Sequence, residues 1–464
     1  MENYKHLFPA AQPPYGVEAS GGTKNRPEYI VPVDDWWPDL TKPLTPVVEI
    51  TAAGVQEHPE NGSYGGSVSA TAAEGLTLSS EVGTVNGIYI DGCEYTISHA
   101  DIQMSGDGKD DFAGIGAAIM AVNDSHVTLR DSTVEMTGPG KSCFLNTKGS
   151  TLIVKRCNLI CNGGPLPEGY TYTVGPGMLE PPVGLKLGGT ARATLTTDNG
   201  KTYYYDSTIV ADGWAALSTD AAMGNLYMEA TRCTAITKGN GYVLYSDAGC
   251  HVVINDCDFV SGNVMAVMAN EAELVLNNVR STSGKAGIMV HNVLGWVEEA
   301  GLLTIHGGIH VSQEEFLQLL SVNTYIDIDG ADITCRNGVF AHSEINNNSK
   351  DRTPVDGKTV YGHNIVLSNM TLAGDILHED YERTMSVNMS CMDYTGALKN
   401  VYLTMDHASK WTATGDSTVV LMGDIHPEQI DGNGMITIHA HAGEGCTLSG
   451  TYALESGGKL VFDL

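Results

Sequence analysis

The sequence predicts an all-β chain wound into a single-stranded right-handed parallel β-helix, a solenoid in which short strands stack on one another. A five-residue pattern recurs at spacings of 24 to 26 residues, which suits one turn of such a solenoid. Gly is abundant, at 54 of 464 residues, and charged residues make up only 17% of the chain. This composition favours many tight turns between short strands.

The first 80 residues differ from the rest of the chain. They contain no copy of the repeat and carry much of the Pro and Trp content, including Trp36-Trp37-Pro38. We interpret residues 1–80 as an N-terminal arm and cap, because an uncovered solenoid end exposes its interior and an unpaired strand edge. Residues 81–464 are interpreted as the solenoid, with further turns or a cap at the C-terminal end.

The repeat is clearest at its third position, where small Ser and Cys side chains recur. The members of this column are Ser132, Cys157, Ser207, Cys233 and Cys257. Strand alternation places this column and the apolar column two residues later in the interior. The preceding column alternates in sign and would bring opposite charges together. It consists of Asp131, Arg156, Asp206, Arg232 and Asp256. The longer step from Cys157 to Ser207 then holds one turn plus a Pro- and Tyr-rich insertion, residues 163–183.

A second strand is expected in each turn. Its copies align at residues 216–220, 243–247, 266–270, 289–293 and 340–344, and residues 376–380 fit the same frame. This alignment predicts an outward stripe of histidines and carboxylates. The stripe comprises Asp220, Asp247, His291, His342, Glu344, His378 and Asp380. Residues 312–320 have the pattern of a short helix that interrupts the coil.

This ladder resembles the pectate-lyase-like right-handed parallel β-helix superfamily over roughly residues 83 to 440. The resemblance implies a carbohydrate enzyme, since most members are polysaccharide lyases or glycoside hydrolases, while others are epimerases, tailspikes or adhesins. The polygalacturonase branch carries Asn-Thr-Asp, Asp-Asp, Gly-His-Gly and Arg-Ile-Lys. The nearest matches here are Ser218-Thr219-Asp220 and Ile305-His306-Gly307-Gly308, and the basic tripeptide is missing. No catalytic residue is therefore transferred from that branch.

The outward stripe is the predicted catalytic site. Parallel stacking brings residues of successive turns within about 5 to 10 Å, a range that covers both carboxylate separations used in glycoside cleavage. Histidine adds a group that titrates near neutrality and can donate or abstract a proton on a sugar. The alternative is that an acidic protein simply places these side chains on solvated strand faces.

Five further residues are predicted to bind substrate. They are Tyr170 and Tyr172 in the insertion, Lys186 just after it, Tyr245 in the outward column, and Arg383 after the last stripe strand. Aromatic rings beside a groove can stack on sugar faces, and Arg383 could stabilise developing negative charge. The alternatives are a homo-oligomer contact for the insertion and an ion pair with Glu379 or Asp380 for Arg383.

No cofactor and no metal are predicted. The turn Asp107-Gly108-Lys109-Asp110-Asp111 offers oxygen ligands for calcium, but a solvated turn is the favoured interpretation. Zinc-type Cys-x-x-Cys pairs, phosphate-binding Gly-rich loops and nucleophile elbows are missing from the sequence. The ten cysteines are expected to be mostly reduced thiols, because several occupy equivalent repeat positions.

The net charge of −30 argues against nucleic acid and anionic membranes as partners, and it disfavours polyuronates relative to neutral sugars. The N-terminus lacks a secretory pattern, which predicts a cytoplasmic protein. The first functional hypothesis is an enzyme that cleaves or rearranges an oligosaccharide or glycoside, as a lyase, hydrolase or intramolecular transferase. The alternatives are a non-catalytic carbohydrate-binding or structural solenoid, and an isomerase or lyase acting on a non-carbohydrate small molecule.

Overall fold

The computed structural model describes residues 44–182, 185–220, 226–269, 271–292, 300–345, 362–380 and 383–462. Strands account for 59% of the structure and helix for 1%, so the prediction of an all-β chain is confirmed. By their contacts, the described residues form two units. The N-terminal unit contains the residues up to 267 together with 272–274, and the C-terminal unit contains residues 268–271 and those from 275 onward. The predicted arm falls largely on residues 1–43, which lie outside the described residues.

The N-terminal unit is built from short strands, most of them three to six residues long. They are β1 (Pro46–Thr51), β2 (Gly54–Glu57), β3 (Ser63–Val68), β4 (Ala72–Ser80), β5 (Asn86–Asp91), β6 (Glu94–Ser98), β7 (Asp101–Ser105), β8 (Ile119–Val122), β9 (His126–Arg130), β10 (Thr133–Thr137), β11 (Phe144–Asn146), β12 (Thr151–Lys155), β13 (Asn158–Asn162), β14 (Thr194–Thr196), β15 (Lys201–Tyr205), β16 (Thr208–Ala211), β17 (Ala215–Ser218), β18 (Tyr227–Thr231), β19 (Thr234–Thr237), β20 (Tyr242–Ser246), β21 (His251–Asn255) and β22 (Asp258–Ser261). Strands β23 (Val264–Ala269) and β24 (Glu273–Asn277) follow at the division.

Strands of the N-terminal unit pair in parallel with strands about one repeat away. Strand β13 lies between β10 and β16, and β12 lies between β9 and β15. The register joins Val134 to Leu159, Leu159 to Ile209, and Ile209 to Ala235, as the repeat predicts. Strand β13 pairs directly with β16, so the chain between these two strands spans a single repeat. Parallel pairing at this period is compatible with a β-helix.

Antiparallel pairing occurs at the start of the described chain, where β1 pairs with β2 and β3 pairs with β4. Strand β1 also pairs in parallel with β5, and β4 with β6 and β7. The six-stranded sheet has the strand order β14-β11-β8-β5-β1-β2, so β2 is one of its edge strands. Residues 46–80 thus contribute strands to the sheets, and β2 covers an edge that a cap is expected to cover.

The predicted charge ladder is confirmed. Arg156 donates to Asp131 through Nε at 2.6 Å and Nη2 at 2.8 Å, and Arg232 binds Asp206 at 2.7 and 3.1 Å. The five residues of this column have positive φ between 50° and 54°, so each occupies the same left-handed corner between two strands. The neighbouring Ser and Cys column is buried at 4% exposure or less, as predicted.

The C-terminal unit contains longer strands as well as short ones. They are β25 (Arg280–Ser283), β26 (Ile288–His291), β27 (Gly301–His306), β28 (Ile309–Ser312), β29 (Leu317–Leu320), β30 (Thr324–Asp329), β31 (Asp332–Glu344), β32 (His363–His378), β33 (Met385–Thr395), β34 (Leu398–Met405), β35 (Lys410–Ala413), β36 (Ser417–Met422), β37 (Ile430–Gly432), β38 (Thr437–Ala442), β39 (Thr451–Ala453) and β40 (Lys459–Phe462). A 3-10 turn, Pro427–Gln429, precedes β37.

The helix predicted for residues 312–320 is wrong. This segment forms the end of β28 and the whole of β29, and β29 pairs in parallel with both β26 and β31. Phe316, Leu317 and Leu319 are fully buried there. Parallel pairing and burial on this sheet override the local helical pattern, as tertiary context often does for short segments.

Strand β29 also changes the register of the predicted stripe. His291 lies opposite Leu320, which lies opposite Glu344, so the predicted alignment of His291 with His342 is wrong. On the other side of β31, His378 pairs with Ser343 rather than with His342. The β31–β32 pairing contains register shifts between Thr334 and Ala341, and such irregularities displace the side-chain alternation.

Candidate acid–base site

The predicted outward stripe is not continuous. In the N-terminal unit Asp220 and Tyr245 are buried and Asp247 is half-buried. In the C-terminal unit His291, His378 and Asp380 are buried, whereas His342 and Glu344 are half-buried on the outer face.

The outward orientation predicted for Asp220, Tyr245, His291, His378 and Asp380 is therefore wrong. One reason is that β17, β20 and β26 are buried along their whole length and have no solvated face. The other is the one-residue displacement that turns His378 inward.

One part of the stripe forms a compact cluster. The Nδ1 atom of His342 lies 3.2 Å from Oε1 of Glu344, and its Nε2 atom lies 3.2 Å from Oε2 of Glu379. The side chains of His342, Glu344 and Glu379 are 21%, 25% and 52% exposed. An imidazole offers one N–H when neutral and two when protonated, so His342 can exchange a proton with a carboxylate on either side.

A fourth group, the carboxyl group of Glu315, is buried and interacts electrostatically with His342 and Glu344. Burial raises its pKa, and a backbone hydrogen bond partly opposes that rise. Glu315 follows β28 and precedes β29, in the segment that the sequence suggests to be helical. A carboxyl group of raised pKa beside ionised carboxylates is the arrangement that lets one group act as an acid and another as a base.

Alternation along two strands builds this cluster. In β31 the side chains of His342 and Glu344 point outward and Ser343 points inward, fully buried. Glu379 follows the end of β32, between the buried His378 and Asp380, so its side chain also points outward. The acid–base groups thus stand on strand ends whose inward neighbours are fixed in the core.

Beneath the cluster runs a buried row of polar groups. His363 contacts Oγ1 of Thr324 at 2.9 Å through Nδ1 and Oγ of Ser343 at 3.0 Å through Nε2. Nδ1 of His378 lies 3.2 Å from the same Ser343 hydroxyl, and its Nε2 donates to the carbonyl of Arg383 at 3.0 Å. Burial, followed by the charges of His378 and Arg383, holds the pKa of His363 well below its usual range. The row therefore fixes the backbone beneath His342.

Arg383 forms an ion pair with Asp380, which is the predicted alternative to substrate binding. Its Nη1 atom donates to Oδ2 of Asp380 at 2.9 Å, and the two side chains are 7% and 0% exposed. Each charge of this buried ion pair has a partner within the protein, and the pair is inaccessible to a large substrate.

The N-terminal unit contains a different cluster of charges around Arg192. Its Nε donates to Asp111 at 2.6 Å and its Nη1 to Asp220 at 2.5 Å, and all three side chains are buried. The guanidinium lies 4.7 Å from the ring centroid of Phe112 and 4.5 Å from that of Trp214. Burial disfavours the charge, but the two carboxylates outweigh it and raise the pKa of Arg192. Asp220 is thus held in an ion cluster rather than presented to solvent.

The turn at residues 107–111 is solvated in part, since Asp107 and Lys109 are exposed, Asp110 is half-buried and Asp111 is buried. Burial, reinforced by Asp111, raises the pKa of Asp110 to about 6, and Asp110 also accepts a backbone hydrogen bond from Gly177 in the insertion. The insertion therefore packs on this turn. Within it the hydroxyl of Tyr170 accepts the N–H of Leu179 at 3.1 Å, Tyr172 is half-buried, and the side chain of Lys186, beyond it, is exposed. Lys109 in the turn and Lys186 are both exposed cations.

A polar groove of about 660 Å³ lies on the outer face of the N-terminal unit. Its floor includes Ser79, Gln103 and Glu135 from the adjacent strands β4, β7 and β10, and Glu60 and Glu81 lie on its walls. The regular spacing of these strands presents hydroxyl, amide and carboxylate groups in rows. Such rows can hydrogen-bond successive hydroxyls of a sugar chain.

The repeat pattern does not identify Glu315, Asp111, Arg192 or His363 as members of these clusters. One signal for Arg192 exists, since it interrupts a run of small and apolar residues, Ala191-Arg192-Ala193-Thr194-Leu195. A charged side chain in such a run is normally buried with a partner.

No helix in the described part of the chain is long and apolar enough to cross a membrane. In comparisons with known proteins, the chain matches no family model, no curated protein and no solved structure.

Proposed function

We propose that the chain is a pectate-lyase-like, right-handed parallel β-helix and that it acts as a carbohydrate-active enzyme at the cluster of His342, Glu315, Glu344 and Glu379. The observation that carries the proposal is the position of His342, whose two ring nitrogens each lie 3.2 Å from a carboxylate on a partly exposed face. Glycoside cleavage needs one group that protonates the leaving oxygen and another that activates water or attacks the sugar.

The environments of the carboxyl groups suggest how the roles divide. Burial raises the pKa of the Glu315 carboxyl group, which favours it as a proton donor within the cluster. Glu379 is the most exposed carboxylate of the cluster, at 52%, and suits the role of base or nucleophile. His342 lies between Glu344 and Glu379 and can relay a proton and keep the two carboxylates in place.

The charge of the cluster favours a neutral sugar. Three carboxylates surround one imidazole, and the whole chain carries a net charge of −30. A uronate substrate would bring a further carboxylate into this field, and its elimination requires that this carboxylate be neutralised. We therefore propose hydrolysis or intramolecular transfer of a neutral oligosaccharide or glycoside, ahead of a lyase reaction.

The test is a panel of neutral and uronic oligosaccharides and glycosides, followed by mass spectrometry and ultraviolet absorbance together. Hydrolysis adds the mass of water to the products, transfer conserves mass, and elimination creates an absorbing unsaturated uronate. We expect the first or second outcome with the wild type, and its loss in His342→Asn and Glu379→Gln. His306→Asn, which changes an exposed histidine in the same unit, serves as the matched control and should retain turnover.

A second candidate function is glycan binding without turnover, favoured by the polar groove of the N-terminal unit. Turnover of no substrate on the panel, together with saturable binding that Gln103→Ala weakens, would select this function over the enzyme. Turnover that persists in both cluster variants would reject the proposed site.

A further inference from the structure

Two turns of the C-terminal unit bring together three metal-ligating side chains that the acid–base cluster does not use. His407 lies in the turn after β34, and Asp424 and His426 lie in the turn after β36. One ligand atom from each residue lies within 4.8 Å of the other two. Nε2 of His407 is 3.8 Å from Oδ2 of Asp424, and the two imidazole centroids are 5.2 Å apart. In the described part of the chain this is the one group of three such ligand atoms that lie so close together.

The two turns are tied together from below by Gln429. Its Oε1 accepts the backbone N–H of His426 at 3.0 Å. Its Nε2 donates to the carbonyls of Asp406 at 2.7 Å and Ser409 at 3.0 Å, on either side of His407. Gln429 is itself buried, at 9% exposure, so one side chain links the backbones that carry both histidines. Second-sphere contacts of this kind hold metal ligands in place.

Each turn is also fixed separately. The carboxylate of Asp406 accepts hydrogen bonds from Ser390, Cys391 and Ser409, which holds the turn that carries His407. In the second turn Ile425 is buried at 3% exposure, between the exposed residues Asp424 and His426. Because Ile425 points inward, its two neighbours project outward on the same side.

We propose that His407, Asp424 and His426 bind a divalent first-row transition ion such as Zn²⁺. Two imidazoles and one carboxylate are donors that suit Zn²⁺, Cu²⁺ and Ni²⁺ better than Ca²⁺ or Mg²⁺. With metal–ligand bonds of about 2.0 to 2.2 Å, tetrahedral ligand atoms lie roughly 3.4 Å apart. The side chains of His407 and Asp424 are 68% and 77% exposed, so small rotations can close the present 3.8 Å separation. Water completes the coordination, which leaves an open position on the ion.

This site is independent of the proposed glycoside chemistry, since it shares no residue with the cluster around His342. The site is on the surface, and each ligand can therefore be replaced without opening the core.

The experiment is isothermal titration of the full chain with Zn²⁺ at pH 7.5, with Ca²⁺ as the comparison ion. We expect one Zn²⁺ per chain, affinity at least tenfold weaker in His407→Ala, His426→Ala and Asp424→Asn, and unchanged affinity in His126→Ala, a control at an exposed histidine. Electron paramagnetic resonance of the Cu²⁺ complex should show two nitrogen donors in the wild type and one in each histidine variant. Equal Zn²⁺ affinity in the wild type and all three ligand variants, or no stoichiometric Zn²⁺ binding, would overturn the proposal.

Discussion

Replacing Arg192 is predicted to destabilise the N-terminal unit strongly. Arg192 is fully buried, and its guanidinium donates to Asp111 at 2.6 Å and to Asp220 at 2.5 Å. The substitution Arg192→Met removes the charge and leaves two carboxylates without their cation in a water-poor environment. Breaking a buried ion pair from one side costs about 3–5 kcal/mol. For a unit of this size, that corresponds to a fall in Tm of roughly 6–20 °C.

The stacking of Arg192 between Phe112 and Trp214 adds to this loss. A cation over an aromatic face contributes about 0.5–2 kcal/mol, depending on its desolvation. Arg192→Lys keeps the charge but loses the planar fork that reaches both carboxylates, so its stability should lie between those of the wild type and Arg192→Met.

Urea and thermal unfolding of the purified chain measure the effect, with Arg232→Ala as the matched control. Arg232 binds Asp206 in a comparable geometry, but its side chain is 58% exposed, so its removal should leave the unfolding midpoint close to that of the wild type. Adding Asp111→Asn and Asp220→Asn to Arg192→Met should restore part of the loss, because no buried charge then lacks a partner. A loss below about 1 kcal/mol in Arg192→Met would refute the assignment of a desolvated ion cluster.

Three further predictions concern pH, packing and thiols. Burial lowers the pKa of His291 to about 3 and that of His310 to about 4, whereas the unfolded chain takes up these protons near pH 6.5. The free energy of unfolding should therefore fall as the pH is lowered below 6.5, by about 2 kcal/mol per histidine at pH 5. The substitution His291→Phe should reduce this pH dependence of the urea midpoint. Phe259→Ala should lower the free energy of unfolding by about 3–5 kcal/mol, because this side chain is only 1% exposed. Val260→Ala should have little effect, because the Val260 side chain is 46% exposed, and equal effects of the two substitutions in thermal unfolding would contradict the strand alternation. A thiol reagent should label no more than four of the ten cysteines in the folded chain, with Cys391 the fastest, and all ten in denaturant, because six are buried. Rapid labelling of more than four would show that at least one of these six thiols is open to solvent.

The register of the N-terminal unit could be predicted because two side-chain columns report it independently. Small Ser and Cys side chains recur at one position, and charges of alternating sign recur at the position before. Both signals are local to a five-residue pattern, and both reflect contacts between neighbouring parallel strands. The structure pairs these strands as the columns require, from β10 to β22.

The register of the C-terminal unit could not be predicted in the same way. Strand β29 lacks the repeat residues, and the polar start of its segment, Ser312-Gln313-Glu314-Glu315, matches a helix cap as well as a strand connection. The irregularity between Thr334 and Ala341 then shifts the pairing with β32. A shift of one residue exchanges the inner and outer faces, so His378 is buried while Glu379 takes the outward position.

Strand alternation made part of the candidate site predictable. His342 and Glu344 could be predicted to share an outer face because they are two residues apart in one strand. Glu379 and Glu315 lie next to the ends of other strands, and their placement depends on the register that the sequence leaves ambiguous. The Arg192 cluster depends on partners 81 and 28 residues away, which no local pattern reports.

The central claim, that His342 and its carboxylates carry acid–base chemistry on a glycoside, is tested most directly by the kcat/KM of His342→Asn on the substrate that the panel identifies. A positioned acid or base contributes about 10²–10⁴-fold, so a loss of at least 100-fold is expected. His306→Asn, the exposed histidine of the same unit, should keep the wild-type value. A kcat/KM for His342→Asn within a factor of two of the wild type would contradict the account.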